Sequence, residues 1–344
     1  MSIINYKLSL LIPGWNADQY IENCVVSLME NDYDNFEIIL ITGGFDDSHD
    51  ISLSLQRRYP SKIKVLKQEI PHKNIALNIG LKQVEGDIII LSDVDCVYNA
   101  NWLSKINEIF QNKKYNVITG LYFPFPEIKN SLAEYNRIKT GNNLLNFEDN
   151  SIIIGNKLCG ANAAFRKEIF LTKIGKFDES VPTGDDKILG ITFNKKGEDL
   201  YYFRLIYVYT ECYSNSVRNF IKRRIRWARD LFITIEKKDV IKLLILFSVA
   251  LFKLFYPVLA ILSWLIFFNF SYIWLMLLIS PWVIFFFFYL LFFYIRLKKF
   301  SFNIRNQLGI YFSYKKAFKI VPILFFAYSI ITIMSLIYPK RSKW

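Results

Sequence analysis

Gly86-Asp87-Ile88-Ile89-Ile90-Leu91-Ser92-Asp93-Val94-Asp95 is the stretch that decides the fold. The apolar run Ile88 to Leu91 predicts a strand buried on both faces, as strands of a parallel sheet are. Side chains alternate across a strand, so Asp93 and Asp95 are expected to point the same way, just past its carboxyl end. Open α/β sheets bind ligands at that end. Two carboxylates on one side are poor neighbours unless a cation neutralises them. A hard divalent ion shared with substrate phosphates fits that geometry. The bland alternative is an acidic turn that only closes the strand.

Working outward, Leu8 to Ile12 is an apolar run closed by Pro13-Gly14, and Phe36 to Ile41 is a second, closed by Gly43-Gly44. Ile63 to Leu66 is a third, short strand. Between them Ala17 to Glu30 has helical spacing, with Ile21, Val25 and Leu28 on one face. Ile51 to Tyr59 and Ile75 to Val84 are also helical. Strand and helix alternate four times, which predicts an α/β fold with a parallel sheet. No internal repeat is visible.

The C-terminal third is different material. Tyr272 to Ile295 and Ile320 to Tyr338 carry no charge, and Leu243 to Phe268 carries only Lys253. Each is long enough to cross a bilayer at roughly 20 residues per span. Residues 1–235 are thus expected to form a soluble domain and 236–344 a membrane domain of about three spans. The N-terminus has no basic-then-apolar pattern, so no signal peptide is expected. Arg296, Lys298, Lys299, Arg305, Lys315, Lys316 and Lys319 fill a predicted loop, 296–319, without an acid. The positive-inside bias places that loop, and the N-terminal domain two crossings away, in the cytosol. The tail bases Lys340, Arg341 and Lys343 conflict mildly, and a third segment that turns back near Pro322 would remove the conflict. Lys253 has two readings: it faces the bundle inside a long span, or Asp239 to Phe252 lies along the interface and Lys253 snorkels to the head groups.

The net charge of +13 suits an anionic lipid surface. Nucleic acid is the rival partner for that charge, and the bases cluster beside apolar spans, so membrane is favoured and no nucleic acid is expected. Cys24, Cys96, Cys159 and Cys212 are scattered without CxxC spacing and read as reduced thiols. With only His49 and His72 present, a zinc site is not expected.

These residues add up to a resemblance. Ile12-Pro13-Gly14-Trp15-Asn16, Lys73 to Gly80 (KNIALNIG), Gly86-Asp87 with Asp93-Val94-Asp95-Cys96 and Asn101-Trp102-Leu103, Gly160 to Arg166, Thr183 to Asp186, and Arg226-Trp227 occur in the order of motifs found in family-2 glycosyltransferases. The chain resembles the membrane-anchored branch of those inverting enzymes over about residues 8 to 230. The resemblance implies a GT-A, Rossmann-like nucleotide-sugar-binding domain, a UDP- or GDP-linked donor, Mg²⁺ or Mn²⁺, and a lipid-linked acceptor such as polyprenyl phosphate or a lipid-linked glycan.

It also implies roles. Asp95 is the expected metal ligand, with Asp93 nearer the ribose and the ion's outer shell. Pro13, Asn16, Asp47, Lys73 and Asn78 are expected at the donor, with Lys73 set against a phosphate. Gly160, Asn162, Arg226 and Trp227 are expected at the acceptor and diphosphate. Asp186 is the candidate general base, since an ionised carboxylate can take the proton of an attacking hydroxyl; Asp185 competes for that role. Each has a plainer reading: Thr183-x-x-Asp186 is capping-box-like, Asn16 is an ordinary turn residue, and Lys73 is a solvated loop lysine. Arg218 to Arg229, with six bases, is an interfacial helix anchored by Trp227.

Two departures matter. Gly43 stands where the family often has an aspartate, which blurs the choice of base. Arg223 stands where the glutamine of a QxxRW motif would be, which weakens a processive polysaccharide synthase. A sugar nucleotidyltransferase would want a basic triphosphate loop, and Pro13-Gly14-Trp15-Asn16 supplies no base. A non-catalytic membrane scaffold would have no reason to bring Asp93, Asp95 and Asp186 together.

Overall fold

β1 (Leu8–Trp15), β2 (Phe36–Gly43), β3 (Ile63–Lys67) and β4 (Ile88–Ser92) form where the apolar runs predict them. They alternate with α1 (Asp18–Met29), α2 (Ser48–Arg58) and α3 (Lys73–Leu81). The structure is a computed structural model that describes residues 4–145, 151–153, 158–181, 184–212, 216–231, 237–267, 272–308 and 311–337. β2 runs parallel to β1 and β3, and β4 runs parallel to β1 on its other side, giving the order β3-β2-β1-β4. The switch point therefore lies between the carboxyl ends of β1 and β4, where such sheets open a crevice. Leu10 and Leu11, like Ile89 and Ile90, are buried on opposite faces of the sheet. Helices cover both sides, so apolar residues run on without alternation.

The next elements are β5 (Cys96–Val97), α4 (Trp102–Phe110), β6 (Val117–Thr119), β7 (Tyr122–Pro124) and α5 (Ser131–Leu145). They are followed by β8 (Ser151–Ile153), β9 (Asn162–Arg166), α6 (Lys167–Lys173), α7 (Asp185–Lys195), β10 (Leu200–Tyr202) and β11 (Val208–Thr210). Beyond β4 the eight-stranded sheet continues β9-β6-β10-β8, with β9 antiparallel to β4 and β6. A second sheet, β5-β11-β7, sits at the end of β4. α3 begins at Lys73 rather than at the expected Ile75, so Lys73 belongs to a helix and not to a loop.

The chain divides into two compact units, Met1–Ile128 with Asn143–Tyr213, and Lys129–Asn142 with Ser214–Ser342. The second unit holds most of α5 and α8 (Val217–Leu231), both N-terminal to the expected boundary at 235. Its other helices are α9 (Lys237–Phe267), α10 (Tyr272–Leu308), α11 (Tyr314–Phe318) and α12 (Val321–Ile337). Among the described residues, two stretches are long and apolar enough to cross a membrane: Leu244–Phe267, of 24 residues, and Tyr272–Asn306, of 35.

Two expectations for this unit change. The basic stretch from 296 is not a loop through its first half, because α10 continues to Leu308. Good helix formers carry it on, and the Arg296 guanidinium lies over the Phe292 and Phe300 rings one turn either side. Among the described residues the third apolar segment forms the 17-residue α12, about 25 Å of helix. Val321, Leu324 and Phe325 are buried there against neighbouring helices. Of the two readings of Lys253, the structure takes the first. α9 is continuous, and Lys253 Nζ lies 4.6 Å from the Phe325 ring centroid, 4.8 Å from Tyr289 and 6.0 Å from Phe285.

Candidate active site

Asp93 and Asp95 follow β4 at the switch point, and strand pairing fixes Asp95. Cys96 of β5 pairs with Thr210 of β11, so Thr210 Oγ1 donates to Asp95 Oδ2 at 2.8 Å and Glu211 N donates to the Asp95 carbonyl at 2.8 Å. Burial first, and Asp93 second, push the Asp95 carboxyl up to about 6, against the pull of the Thr210 hydrogen bond and Lys73.

Lys73 opens α3 with a side chain only 10% exposed, and its Nζ lies 2.5 Å from Asp93 Oδ1 and 4.0 Å from Asp185 Oδ2. Burial works against its charge, but Asp93 and then Asp185 outweigh burial and hold the ammonium well above the ordinary lysine value. Carboxylates are the charged groups beside the Lys73 ammonium in this structure. A buried ammonium needs an anion beside it.

Asp186 sits in the first turn of α7, and Gly184 precedes that helix in the left-handed conformation at φ 71°. Glycine enters that region without the steric cost a side chain brings. Gly184 makes no side-chain cap, and Thr183, the capping residue the sequence suggests, lies outside the described residues. Lys187 N donates to Asp186 Oδ1 at 2.7 Å and Gly160 N to its Oδ2 at 3.4 Å. Burial first and Asp185 second raise the Asp186 carboxyl to about 6, with Lys73 opposing. Asp93, Lys73, Asp185, Asp186 and Gly160 are therefore one cluster at the carboxyl end of β4, and Asp95 adjoins it.

Several expected ligands have other partners. Asn78 accepts from Phe177 N at 2.9 Å and donates to Phe177 O and Glu179, so its amide ties α3 to segment 177–179. Asn162 is buried, donating to the Leu121 and Ile206 carbonyls and accepting from Trp102 Nε1. Both amides are engaged by protein partners in this structure. Asn16 takes φ 51° and its Oδ1 accepts from Phe45 N at 2.7 Å, which is turn chemistry. Asp47 is exposed at the start of α2, while its neighbour Asp46 accepts from Asp18 N, Ser48 N and Ser48 Oγ. Pro13 is buried in β1 opposite Ile41. Arg226 is exposed on α8 in the helical unit; Trp227 follows it, with a side chain outside the described residues.

Gly43 has a structural reason to be glycine. A Cβ there would come 2.0 Å from the Gln68 carbonyl oxygen, so no aspartate fits. Thr210 and Gln68 are the residues that sequence reasoning missed. Thr210 carries no local signal, being 115 positions from its partner.

Asp93 and Asp95 offer hard oxygen donors, but among the described residues no group of three or more His, Cys, Asp or Glu is set to hold a metal. Oxygens of a bound diphosphate would complete an all-oxygen set that suits Mg²⁺ or Mn²⁺.

Residues 9–172, from β1 to α6, match the family described as Glycosyl transferase family 2. They form a glycosyl transferase family 2 domain. Asp185 and Asp186 lie beyond the matched residues. The uncharacterized glycosyltransferase alr2836 of Nostoc sp. is 26% identical over 178 residues, 50% of this chain and 54% of that protein. A Methanococcus voltae protein is 28% identical over 111 residues, 31% of this chain and 35% of its own length. It is named dolichyl N-acetyl-alpha-D-glucosaminyl phosphate 3-beta-D-2,3-diacetamido-2,3-dideoxy-beta-D-glucuronosyltransferase. The chain thus spans about half the length of the first relative and about a third of the second. The mannosyltransferase PcManGT of Pyrobaculum calidifontis, solved with GDP-Man and Mn²⁺, superposes with a TM-score of 0.50 at 17% identity. That superposition covers 66% of this chain and 62% of the mannosyltransferase, and shows that the family 2 domain shares its fold.

Proposed function

We propose that this chain is an inverting glycosyltransferase that moves a sugar from a UDP- or GDP-linked donor to a lipid-linked acceptor, with its family 2 domain facing the cytosol. The observation that carries the reading is the cluster itself: Asp93 and Asp95 at the switch point, joined through Lys73 to Asp185 and Asp186. A scaffold would gain nothing from gathering an excess of negative charge in one crevice.

The acceptor hydroxyl attacks the anomeric carbon as the bond to the nucleoside diphosphate breaks on the opposite face. Asp186, held by Gly160 N and Lys187 N, receives the hydroxyl proton. Lys73 lies within reach of a diphosphate seated between Asp93 and Asp185, and its ammonium stabilises the departing charge. Asp95 and Asp93 would hold a divalent ion with the diphosphate, which adds further stabilisation to that leaving group. The lipid acceptor is supported by the apolar helices α9 and α10 and by the dolichyl-linked substrate in the name of the Methanococcus relative.

A donor screen tests the reading. Membranes containing the protein, supplied with UDP- and GDP-sugars, should release nucleoside diphosphate faster when lipid extract is added. Release that never depends on lipid would remove the lipid-linked acceptor, and no release with any donor would remove the transferase reading.

A further inference from the structure

Lys73 places its ammonium among the carboxylates of the cluster. Its Nζ contacts Asp93 at 2.5 Å, and Asp185 lies 4.0 Å away on the other side. The side chain is nearly sealed from water, and a Cβ added at Gly160 would stand 3.4 Å from Nζ, so backbone walls it in. Asp95, the other carboxylate of the pair, is already engaged by Thr210 Oγ1. Without a donor, a divalent ion entering here would meet a fixed ammonium in contact with one of its two ligands. Lys73 in turn cannot leave Asp93 for nothing, because a buried ammonium without an anion is strongly disfavoured. A diphosphate supplies that anion.

We propose that Lys73 is a resident counter-cation that makes ion binding conditional on the donor. With the crevice empty it neutralises Asp93 and keeps divalent ions off. When a nucleoside diphosphate arrives, Lys73 transfers its contact to the phosphates, and Asp93 and Asp95 become available together. Ion and donor then bind as one unit, each raising the affinity of the other by the same factor. The inference rests on the metal reading given above for Asp93 and Asp95.

The test is a Mn²⁺ titration of the purified full-length protein in detergent, with bound and free ion separated by electron paramagnetic resonance, without nucleotide and with UDP or GDP. Wild type is expected to bind Mn²⁺ at least about tenfold more tightly with the matching nucleotide than alone, within the usual range of coupling. Lys73→Met should bind Mn²⁺ alone at least about tenfold more tightly than wild type and gain less from nucleotide than wild type does, the remaining gain coming from diphosphate oxygens on the ion. Lys73→Met binding no tighter than wild type without nucleotide overturns the proposal. Lys73→Arg keeps the charge and covers the case in which the methionine variant does not fold. It should bind Mn²⁺ alone no better than wild type, and tighter binding would count against the idea. Wild type that binds Mn²⁺ tightly by itself overturns the coupling but leaves the metal reading standing. Wild type that binds no Mn²⁺ with either nucleotide overturns both.

Discussion

Gly160 N lies 3.4 Å from Asp186 Oδ2, and a methyl group at Gly160 would stand 3.0 Å from Asp186 Cβ. The glycine thus lets the backbone before β9 touch the carboxylate that opens α7. Gly160→Ala should displace Asp186 by a few tenths of an ångström and lower kcat by about tenfold or more, with unchanged far-ultraviolet circular dichroism. Full kcat in that variant would show that the position of Asp186 is unimportant to the reaction.

Asp186→Asn should reduce transfer by about a hundredfold or more, the usual contribution of a general base, while donor binding by calorimetry stays within a few-fold of wild type. Asp185→Asn should retain much more activity. A dead Asp185 variant beside an active Asp186 variant would move the base role one residue back.

Asp95→Asn should remove one charge from the expected cation site and lower transfer by about a hundredfold or more. Chelator should do the same to the wild type, and added Mn²⁺ or Mg²⁺ should restore it. Undiminished transfer in excess chelator would end the metal-dependent reading.

The pH profile has a definite sign. Asp95 and Asp186 are both raised to about 6, and both must be ionised to act. Transfer should therefore fall as pH drops through about 6, with an apparent value that belongs to the coupled cluster rather than to one residue. Thr210→Val removes a hydrogen bond that favours ionised Asp95, so the acid limb should move to higher pH. A limb that stays in place or moves down would show that the Thr210 contact does not reach the chemistry.

Topology is checked with a membrane-impermeant thiol reagent in intact cells, after Cys24, Cys96, Cys159 and Cys212 are replaced. If residues 311–319 lie in the cytosol, a cysteine placed there should be shielded and one beside Ser271 should be labelled. The opposite pattern would put the family 2 domain away from the cell's nucleotide sugars and defeat the donor assignment.

β1, β2 and β4 were legible because strands of five to eight residues buried on both faces leave apolar runs. β5 to β8, β10 and β11 were not, since strands of two or three residues are too short to show a period. Asp93, Asp95 and Asp186 could be read as a set from their motifs, and the structure brings them into one neighbourhood. Asn78 and Asn162 show the limit of the same logic. Their partners in this structure, backbone groups, the Glu179 carboxylate and the Trp102 indole, lie far away in sequence and leave no local signal. The basic stretch after 295 read as a loop because its charge ended the apolar run, yet arginine and lysine are good helix formers.

Gly43 and Gln68 constrain one another in a way that bears on ancestry and redesign. A side chain at Gly43 would strike the backbone of Gln68, so no rotamer relieves the collision. Grafting the aspartate of other family members onto this chain by one codon change should yield a misfolded β2 end rather than a switched donor. The end of β3 would have to retreat first, a move with no benefit until the aspartate arrives. A carboxylate at 43 therefore requires a second change that moves the backbone just after β3.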